Sequence, residues 1–256
     1  MAGLFDLTGK VAVVTGGGRG LGEMMASGLI EAGCTVWISS RKIDDLQTVA
    51  DRLGERCIPF AADLSGEAGA RALAEAVGAK HEHVDILVNN AGASWGAPLD
   101  EFPAEIGFDK VMNINVKGVF ATTQAFLPLL RVNATAEDPA RIVNIGSVEG
   151  MEIPMLPAWS YSASKAAVHQ MTRHLAKELA PQDITVNAIA PGMFPSKMTS
   201  FLGEEGYEEI ASSTPRKRIG TPQDIQGTLI YLCSRAGAYA TGVILPLDGG
   251  LATLAG

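Results

Sequence analysis

Val11-Ala12-Val13-Val14-Thr15-Gly16-Gly17-Gly18-Arg19-Gly20-Leu21-Gly22 is the stretch that decides how this chain folds. It opens as a short apolar, β-branched run of strand length and passes without a break into glycines, and a helical pattern over Leu21–Ala32 follows at once. Glycines between a strand and a helix permit a tight turn and a close backbone approach to phosphate oxygens, which then also face the helix N-terminus. The spacing is G-x-x-x-G-x-G rather than G-x-G-x-x-G. A glycine cluster by itself is only a turn; it points to a nucleotide when it joins the first strand and first helix of an alternating pattern.

Outward from that stretch, the alternation is what the chain shows. Strand candidates lie at Val11–Thr15, Thr35–Ser39, Cys57–Ala61, Val84–Asn89, Arg141–Gly146, Ile184–Ala190 and Val243–Leu247. Helical patterns lie at Leu21–Ala32, Ile43–Leu53, Ala68–Ala79, Phe108–Leu130, Tyr161–Leu179 and Pro222–Ser234. Strands apolar on both faces and separated by helices predict an α/β fold, a doubly wound, seven-stranded parallel sheet of Rossmann type, with ligands at the carboxyl ends of the strands. No linker or low-complexity tract divides the chain, so one domain over residues 1–256 is expected. Gly192–Pro215 reads as its one long irregular segment, a substrate loop over 192–215.

Composition bounds the function. Apolar residues make up 47% and charged residues 19% of the 256, enough for a large core, and the net charge of −8 argues against nucleic acid or an anionic membrane as partner. The longest apolar runs are strand-sized, and the N-terminus lacks the basic start and apolar run of a signal peptide. Cys34, Cys57 and Cys233 fit neither a disulfide framework nor a metal knuckle; no metal is expected, and buried thiols in a reducing cytoplasm are.

The end of the second strand chooses the nucleotide. An acidic residue there holds a ribose 2′-hydroxyl, whereas arginine favours a 2′-phosphate. The segment reads Ser39-Ser40-Arg41-Lys42, with Ser40 near the acidic position, while Asp44 and Asp45 suit the first turn of the next helix. Arg19 in the glycine loop and Arg41 are either two surface bases or a phosphate clamp, and their joint placement favours NADP(H) over NAD. After the third strand, Asp63-Leu64 offers a carboxylate either to an adenine amine or to the helix starting near Ser65. After the fourth, Asn89-Asn90-Ala91-Gly92 either stitches neighbouring loops and leaves room for a ligand or simply makes a turn.

Tyr161-Ser162-Ala163-Ser164-Lys165 carries the chemistry. Tyrosine has an ordinary pKa of about 10. A lysine one helical turn on shares its face and is expected to lower that pKa. Ser147 lies fourteen residues upstream. Alone, such a pair is as well explained by a solvated helix face.

The ordered set T-G-x-x-x-G-x-G at 15–22, N-N-A-G at 89–92, Ser147, Y-x-x-x-K at 161–165, Pro191-Gly192 and Leu247-Asp248-Gly249-Gly250 resembles the short-chain dehydrogenase/reductase family over nearly the whole chain. Asn89–Gly96, Ile145–Val148 and Ala190–Thr199 carry a closer likeness to the 3-oxoacyl thioester reductases of the rhamnolipid-associated type. The resemblance implies that Tyr161 donates a proton to a carbonyl oxygen as hydride arrives from the nicotinamide. It implies that Lys165 lowers the tyrosine pKa and holds the nicotinamide ribose, and that Ser147 hydrogen-bonds the substrate oxygen. Asn115 matches the family's fourth catalytic position, anchoring a water that relays protons to Lys165; its bland alternative is a helix-kinking asparagine. Gly16, Gly20, Gly22, Asp63, Asn89 and Gly92 match cofactor-binding positions, joined by Gly18, Leu21, Leu64, Ala91, Pro191, Gly192 and Phe194 from the same stretches. A homotetramer built through the two long helices is implied as well. The interval from Ser147 to Tyr161 is one residue longer than the family's usual one, and the loop Glu149–Ser160 absorbs the insertion.

Trp95, Met151, Trp159, Met193 and Met198 are the expected pocket residues, with Met155, Leu156 and Phe194 from the same segments. An apolar, methionine-rich lining suits an acyl chain better than a sugar, unless these side chains pack on one another or across a subunit interface. In relatives that use acyl carrier protein, basic residues before the fifth strand and after the active-site helix dock it. Here those places read Glu137-Asp138 and Pro181-Gln182, with Arg131 and Arg141 nearby, so a CoA-linked or free 3-oxo substrate is expected. A gluconate-type sugar or polyol dehydrogenase, a general carbonyl reductase and a non-catalytic cofactor sensor are the alternatives.

Overall fold

In the computed structural model, which describes residues 2–154, 156–196 and 199–254, seven strands form one sheet in the order β3-β2-β1-β4-β5-β6-β7, every pair parallel. They are β1 Val11–Thr15, β2 Thr35–Ser40, β3 Cys57–Ala61, β4 Ile86–Asn89, β5 Ala140–Ile145, β6 Ile184–Pro191 and β7 Ile244–Leu247. Each lies within two residues of its expected bounds. The helices are α1 Gly20–Glu31, α2 Ile43–Leu53, α3 Glu67–Gly78, α4 over 104–130, α5 Trp159–Leu179, α6 Gly203–Ser213, α7 Pro222–Cys233 and a short α8 Leu251–Leu254.

The strand pattern explains the layers. In β1, Ala12 and Val14 join one core with Met25, Leu29, Ile38 and Leu229, while Val11 and Val13 join the other with Leu73, Phe126, Ile142 and Val186. In β4 the alternation repeats, with Ile86 and Val88 on the first face and Leu87 on the second. Because both sets are apolar, both faces are covered by helices. Each fully buried leucine or isoleucine adds about 1.5–3 kcal/mol relative to exposure. Among the described residues no helix is long and apolar enough to cross a membrane.

Two features position the site. The strand order reverses between β1 and β4, so the loops after these strands diverge and open a crevice. The second is α4, whose α turns at Lys110–Met112 and Val119–Leu130 are interrupted by π-type segments at Ala104–Asp109 and Asn113–Gly118. Such widened turns displace backbone groups from the regular ladder and recur at functional sites; Asn115 lies in the second.

Residues 192–215 are not irregular throughout. A 3-10 turn, Ser200–Leu202, leads into α6, and Gly203 at φ 64° makes the bend between them. The run Glu-Glu-Gly-Tyr-Glu-Glu shows little apolar periodicity, and no residue of α6 is buried, but Glu204 and Glu205 suit the N-terminal turn.

Candidate active site

Gly16 and Gly20 have φ of +67° and +55°, conformations that L side chains resist. At Gly22 the constraint is space: a Cβ would sit 2.2 Å from Gly16 O and 2.6 Å from Asn90 Nδ2. Thr15 and Asn90 tie this turn to the end of β4. Thr15 Oγ1 accepts from the backbone N–H groups of Asn90 (2.8 Å) and Ala91 (3.0 Å), while Asn90 Nδ2 donates to Thr15 O at 2.8 Å and Gly16 O at 3.2 Å. At the N-cap of α1, Arg19 makes no side-chain cap, so the first-turn N–H groups of Gly20, Leu21 and Gly22 face the crevice without a side-chain acceptor. Gly18 lies beside β2, where a Cβ would meet Ser40 Oγ at 3.4 Å, and Arg19 and Arg41 are both exposed. A narrow glycine turn, an uncapped helix start and two free guanidinium groups fit a dinucleotide with a 2′-phosphate.

Not every expected cofactor residue presents its side chain there. Asn89 is turned inward, its Nδ2 donating to Thr123 Oγ1 (3.0 Å) and Asn144 Oδ1 (2.9 Å), so only its backbone borders the crevice. Asn90 is the stitch between the loops. Leu64 packs in the core, and so does Phe194, against which a Cβ on Gly220 would come within 2.3 Å. Asp63 accepts from Ser65 N–H at 3.0 Å, the turn role, and this bond holds its carboxyl below the usual range. Ala91, Gly92, Pro191 and Gly192 lie at the carboxyl ends of β4 and β6, as their loops require.

On the other side of the crevice, Ser147 follows β5 by two residues and caps the single turn Val148–Gly150, its Oγ accepting from Glu149 N–H at 3.2 Å. That leaves the hydroxyl hydrogen for another acceptor. Tyr161 stands in the first turn of α5 and hydrogen-bonds the Ser147 side chain. Lys165, one turn on, donates from Nζ to Ile145 O at 2.7 Å and lies 5.4 Å from the Tyr161 ring centroid. Serine, tyrosine and lysine therefore converge.

Burial dominates the electrostatics: it pushes Tyr161 up to about 12, the Ser147 hydrogen bond pulls it down, and Glu149 pushes it up further. The Lys165 ammonium is bonded to the Ile145 carbonyl, and burial brings Lys165 itself down to about 8 against the pull of Glu149. A neutral tyrosine is the form that donates a proton.

Asn115 is 1% exposed and fully engaged. Its Oδ1 accepts from Ala93 N–H at 2.8 Å, and its Nδ2 donates to Ala93 O at 3.0 Å and Ser164 Oγ at 2.9 Å. The side chain thus clamps the loop after β4 to α5. His169, overlooked in the sequence, extends the Tyr161–Lys165 face by another turn. Its Nε2 accepts a long 3.5 Å bond from Ser147 N–H, and a Cβ on Gly146 would fall 2.1 Å from that nitrogen. Burial, then the charges of Lys165 and Arg173, lower its pKa to about 4, so it is a neutral acceptor.

A cavity of about 560 Å³ lies between the loop after Ser147 and the start of α5, lined by Glu149, Met151, Leu156, Trp159, Ser162 and Ala163 among others; Ser147, Tyr161 and Lys165 are not in its wall. Of the expected pocket residues, Met151, Leu156 and Trp159 line it. Trp95 does not, but its loop is fastened beside it, since Trp159 Nε1 donates to Ala97 O at 3.1 Å and Ala97 N–H to Pro157 O at 3.2 Å. Met193 is set apart, its carbonyl accepting from Gly220 N–H. Met155 and Met198 lie outside the described residues.

Known proteins are similar to this chain over nearly its whole length. The family profile described as short chain dehydrogenase matches residues 10–206. A rhamnolipids biosynthesis 3-oxoacyl-(acyl-carrier-protein) reductase of Pseudomonas aeruginosa is 49% identical over 250 residues, 96% of this chain and 97% of that protein. The solved Pseudomonas aeruginosa RhlG/NADP active-site complex has a TM-score of 0.94 and 48% identity, covering 98% of this chain and 100% of that one. A 2-dehydro-3-deoxy-D-gluconate 5-dehydrogenase of Dickeya dadantii is 39% identical, with 96% of each chain covered. With Ser147, Tyr161 and Lys165 gathered at the carboxyl ends of a doubly wound sheet, and with relatives matching from end to end, the chain belongs to the short chain dehydrogenase family.

Proposed function

We propose that this enzyme uses NADPH to reduce the ketone of a 3-oxoacyl thioester to a secondary alcohol, and that it takes the CoA-linked substrate more readily than the carrier-protein-linked one. The observation that carries the reading is the convergence of Ser147, Tyr161 and Lys165, with an apolar cavity under the loop that follows Ser147. Bound in the glycine-lined crevice, NADPH supplies the hydride that adds to the carbonyl carbon. Ser147, whose hydroxyl is bonded to Tyr161 in the structure, turns its hydroxyl hydrogen to the carbonyl oxygen and holds it beside Tyr161. Tyr161, kept protonated by burial, gives its proton to that oxygen as negative charge develops there. Lys165, charged below pH of about 8, steadies the tyrosinate so formed and hands on a proton to restore it. Asn115 keeps the loop after β4 in register with α5, and Arg19 and Arg41 serve a 2′-phosphate.

Support for the thioester comes from the apolar wall and from the 49%-identical relative, named for a 3-oxoacyl-(acyl-carrier-protein) substrate. Support for CoA comes from Arg141. It is buried and donates to Ser234 O at 3.1 Å, so it offers no docking base to an acidic carrier; Glu137 nearby is exposed, and Asp138 is half-buried and paired with Lys10 at 2.9 Å. The reading includes a homotetramer joined through α4 and α5, and a cytoplasmic site in keeping with three free, buried thiols. Turnover of one 3-oxoacyl group on CoA and on carrier protein, with NADPH and NADH, tests it. CoA with NADPH is expected to be the best pair; a strong carrier preference, or an NADH preference, overturns the corresponding part.

A further inference from the structure

Glu149 is the charged group beside the trio to which the proposed reaction gives no task. Its backbone N–H holds Ser147 Oγ at 3.2 Å, and the next residue, Gly150, is pressed so tightly on α5 that a Cβ would lie 2.7 Å from Lys165 C and from Ala166 N. The backbone of Glu149 is thereby held between Ser147 and the Tyr161–Lys165 helix, and its side chain forms part of the cavity wall. Its Oε2 is buried and has no hydrogen-bond partner among the described residues. A carboxylate oxygen buried without a donor costs stability.

We propose that Glu149 is a specificity-determining residue, selecting electrically neutral 3-oxo esters and thioesters against compounds that carry a carboxylate next to the reacting ketone. The inference rests on the carbonyl reduction proposed above. A ketone oxygen held by Ser147 and Tyr161 puts the carboxylate of a free 3-oxo acid two bonds from the reacting carbon. The Glu149 charge is felt at the Tyr161 hydroxyl, so it is felt by that carboxylate too. At a separation of several ångströms and an effective dielectric of about 20, like charges repel by more than thermal energy. A thioester has no charge there. The phosphates of CoA lie at the far end of its pantetheine arm, beyond a screening length of about 8 Å.

The surroundings reinforce this sign. The titratable groups facing Glu149 are Tyr161 and Lys165 of α5 and Glu152 of its own loop; His169 lies beneath Gly150, and Asp248, after β7, acts on Glu152. Glu152 also lines the cavity. Lys165 is the one opposing charge; it keeps that charge while bonded to the neutral Ile145 O, but the cavity wall itself carries the two carboxylates Glu149 and Glu152 and not Lys165.

The test is NADPH oxidation by the full chain with an ethyl 3-oxo ester, the matching 3-oxoacyl-CoA and the matching free 3-oxo acid. It reads the ratio of kcat/KM for ester over acid, so that a general effect on catalysis cancels. The wild-type ratio is expected to exceed about tenfold. Glu149→Gln is expected to shrink it by about tenfold, chiefly through KM for the acid, and Glu149→Asp to keep it. Burial raises the Glu149 pKa above the usual carboxylate range, so in the wild type the ratio should also fall on acidification as Glu149 takes up a proton, which decides the matter even if Glu149→Gln does not fold. A wild-type ratio near one, or a ratio indifferent to both Glu149→Gln and pH, overturns the inference. Absence of turnover with ester and CoA thioester alike instead overturns the proposed reaction.

Discussion

Replacing Asn115 with alanine removes the clamp between the loop after β4 and α5. Three hydrogen bonds go at once: from Ala93 N–H, to Ala93 O and to Ser164 Oγ. Ser164 keeps its own bond to Tyr161 O at 2.7 Å, so the uncompensated groups are the two backbone atoms of Ala93. Each buried polar group left unpaired costs about 1–3 kcal/mol, and partial access of water at this loop puts the sum near 2–4 kcal/mol. For a chain of this size each kcal/mol moves the melting temperature by about 2–4 °C, which gives a fall of roughly 4–16 °C. Calorimetry measures that fall, and NADPH titration should show weakened binding, because Gly92 and Ala93 border the crevice. A melting temperature within about 2 °C of wild type, with NADPH affinity intact, would show that the clamp does not hold the loop.

Two other perturbations test the cradle and the pH behaviour. Gly22→Ala forces a Cβ to within 2.2 Å of Gly16 O, so NADPH affinity read by fluorescence should fall at least about tenfold. Gly227→Ala is its control, for a Cβ there meets nothing within 4 Å, and it should be neutral or stabilise α7 by about 0.5–1 kcal/mol. The His169 pKa, about 4 in the fold against 6.5 for the free side chain, means that the unfolded chain binds the proton first. Its penalty is therefore absent above pH 6.5 and grows as pH falls towards 4, reaching about 3 kcal/mol. Melting curves across that window should show the slope, and His169→Gln should flatten it.

The sheet and the placement of the site were legible because each strand supplies two apolar faces, and because Val11–Gly22 joins a buried strand to glycines that only a tight turn explains. The Tyr161–Lys165 pair was legible from helical spacing. What escaped depends on which way a side chain turns. Asn89 and Asn90 are neighbours in a strand end and so face opposite sides, one into the core with Asn144 and Thr123, the other across to Thr15 and Gly16. The helix Gly203–Ser213 escaped because it buries no residue and so leaves no apolar period to read. His169 had the signal, an i+4 step beyond Lys165, but its role depends on Gly146 and Ser147 pressing against it from another strand. The direction of the Tyr161 shift needed the structure too: helix spacing says that Lys165 is close, not that the tyrosine is buried deeply enough to be pushed up.

The central claim is that Tyr161 is the proton donor in an NADPH-dependent ketone reduction. Its most direct test is NADPH oxidation with a 3-oxoacyl-CoA by wild type and Tyr161→Phe, with NADPH affinity measured on both. A general acid contributes about 10²–10⁴-fold, so kcat should fall at least a hundredfold while NADPH affinity changes little. Reduction by Tyr161→Phe within about threefold of wild type would contradict the account.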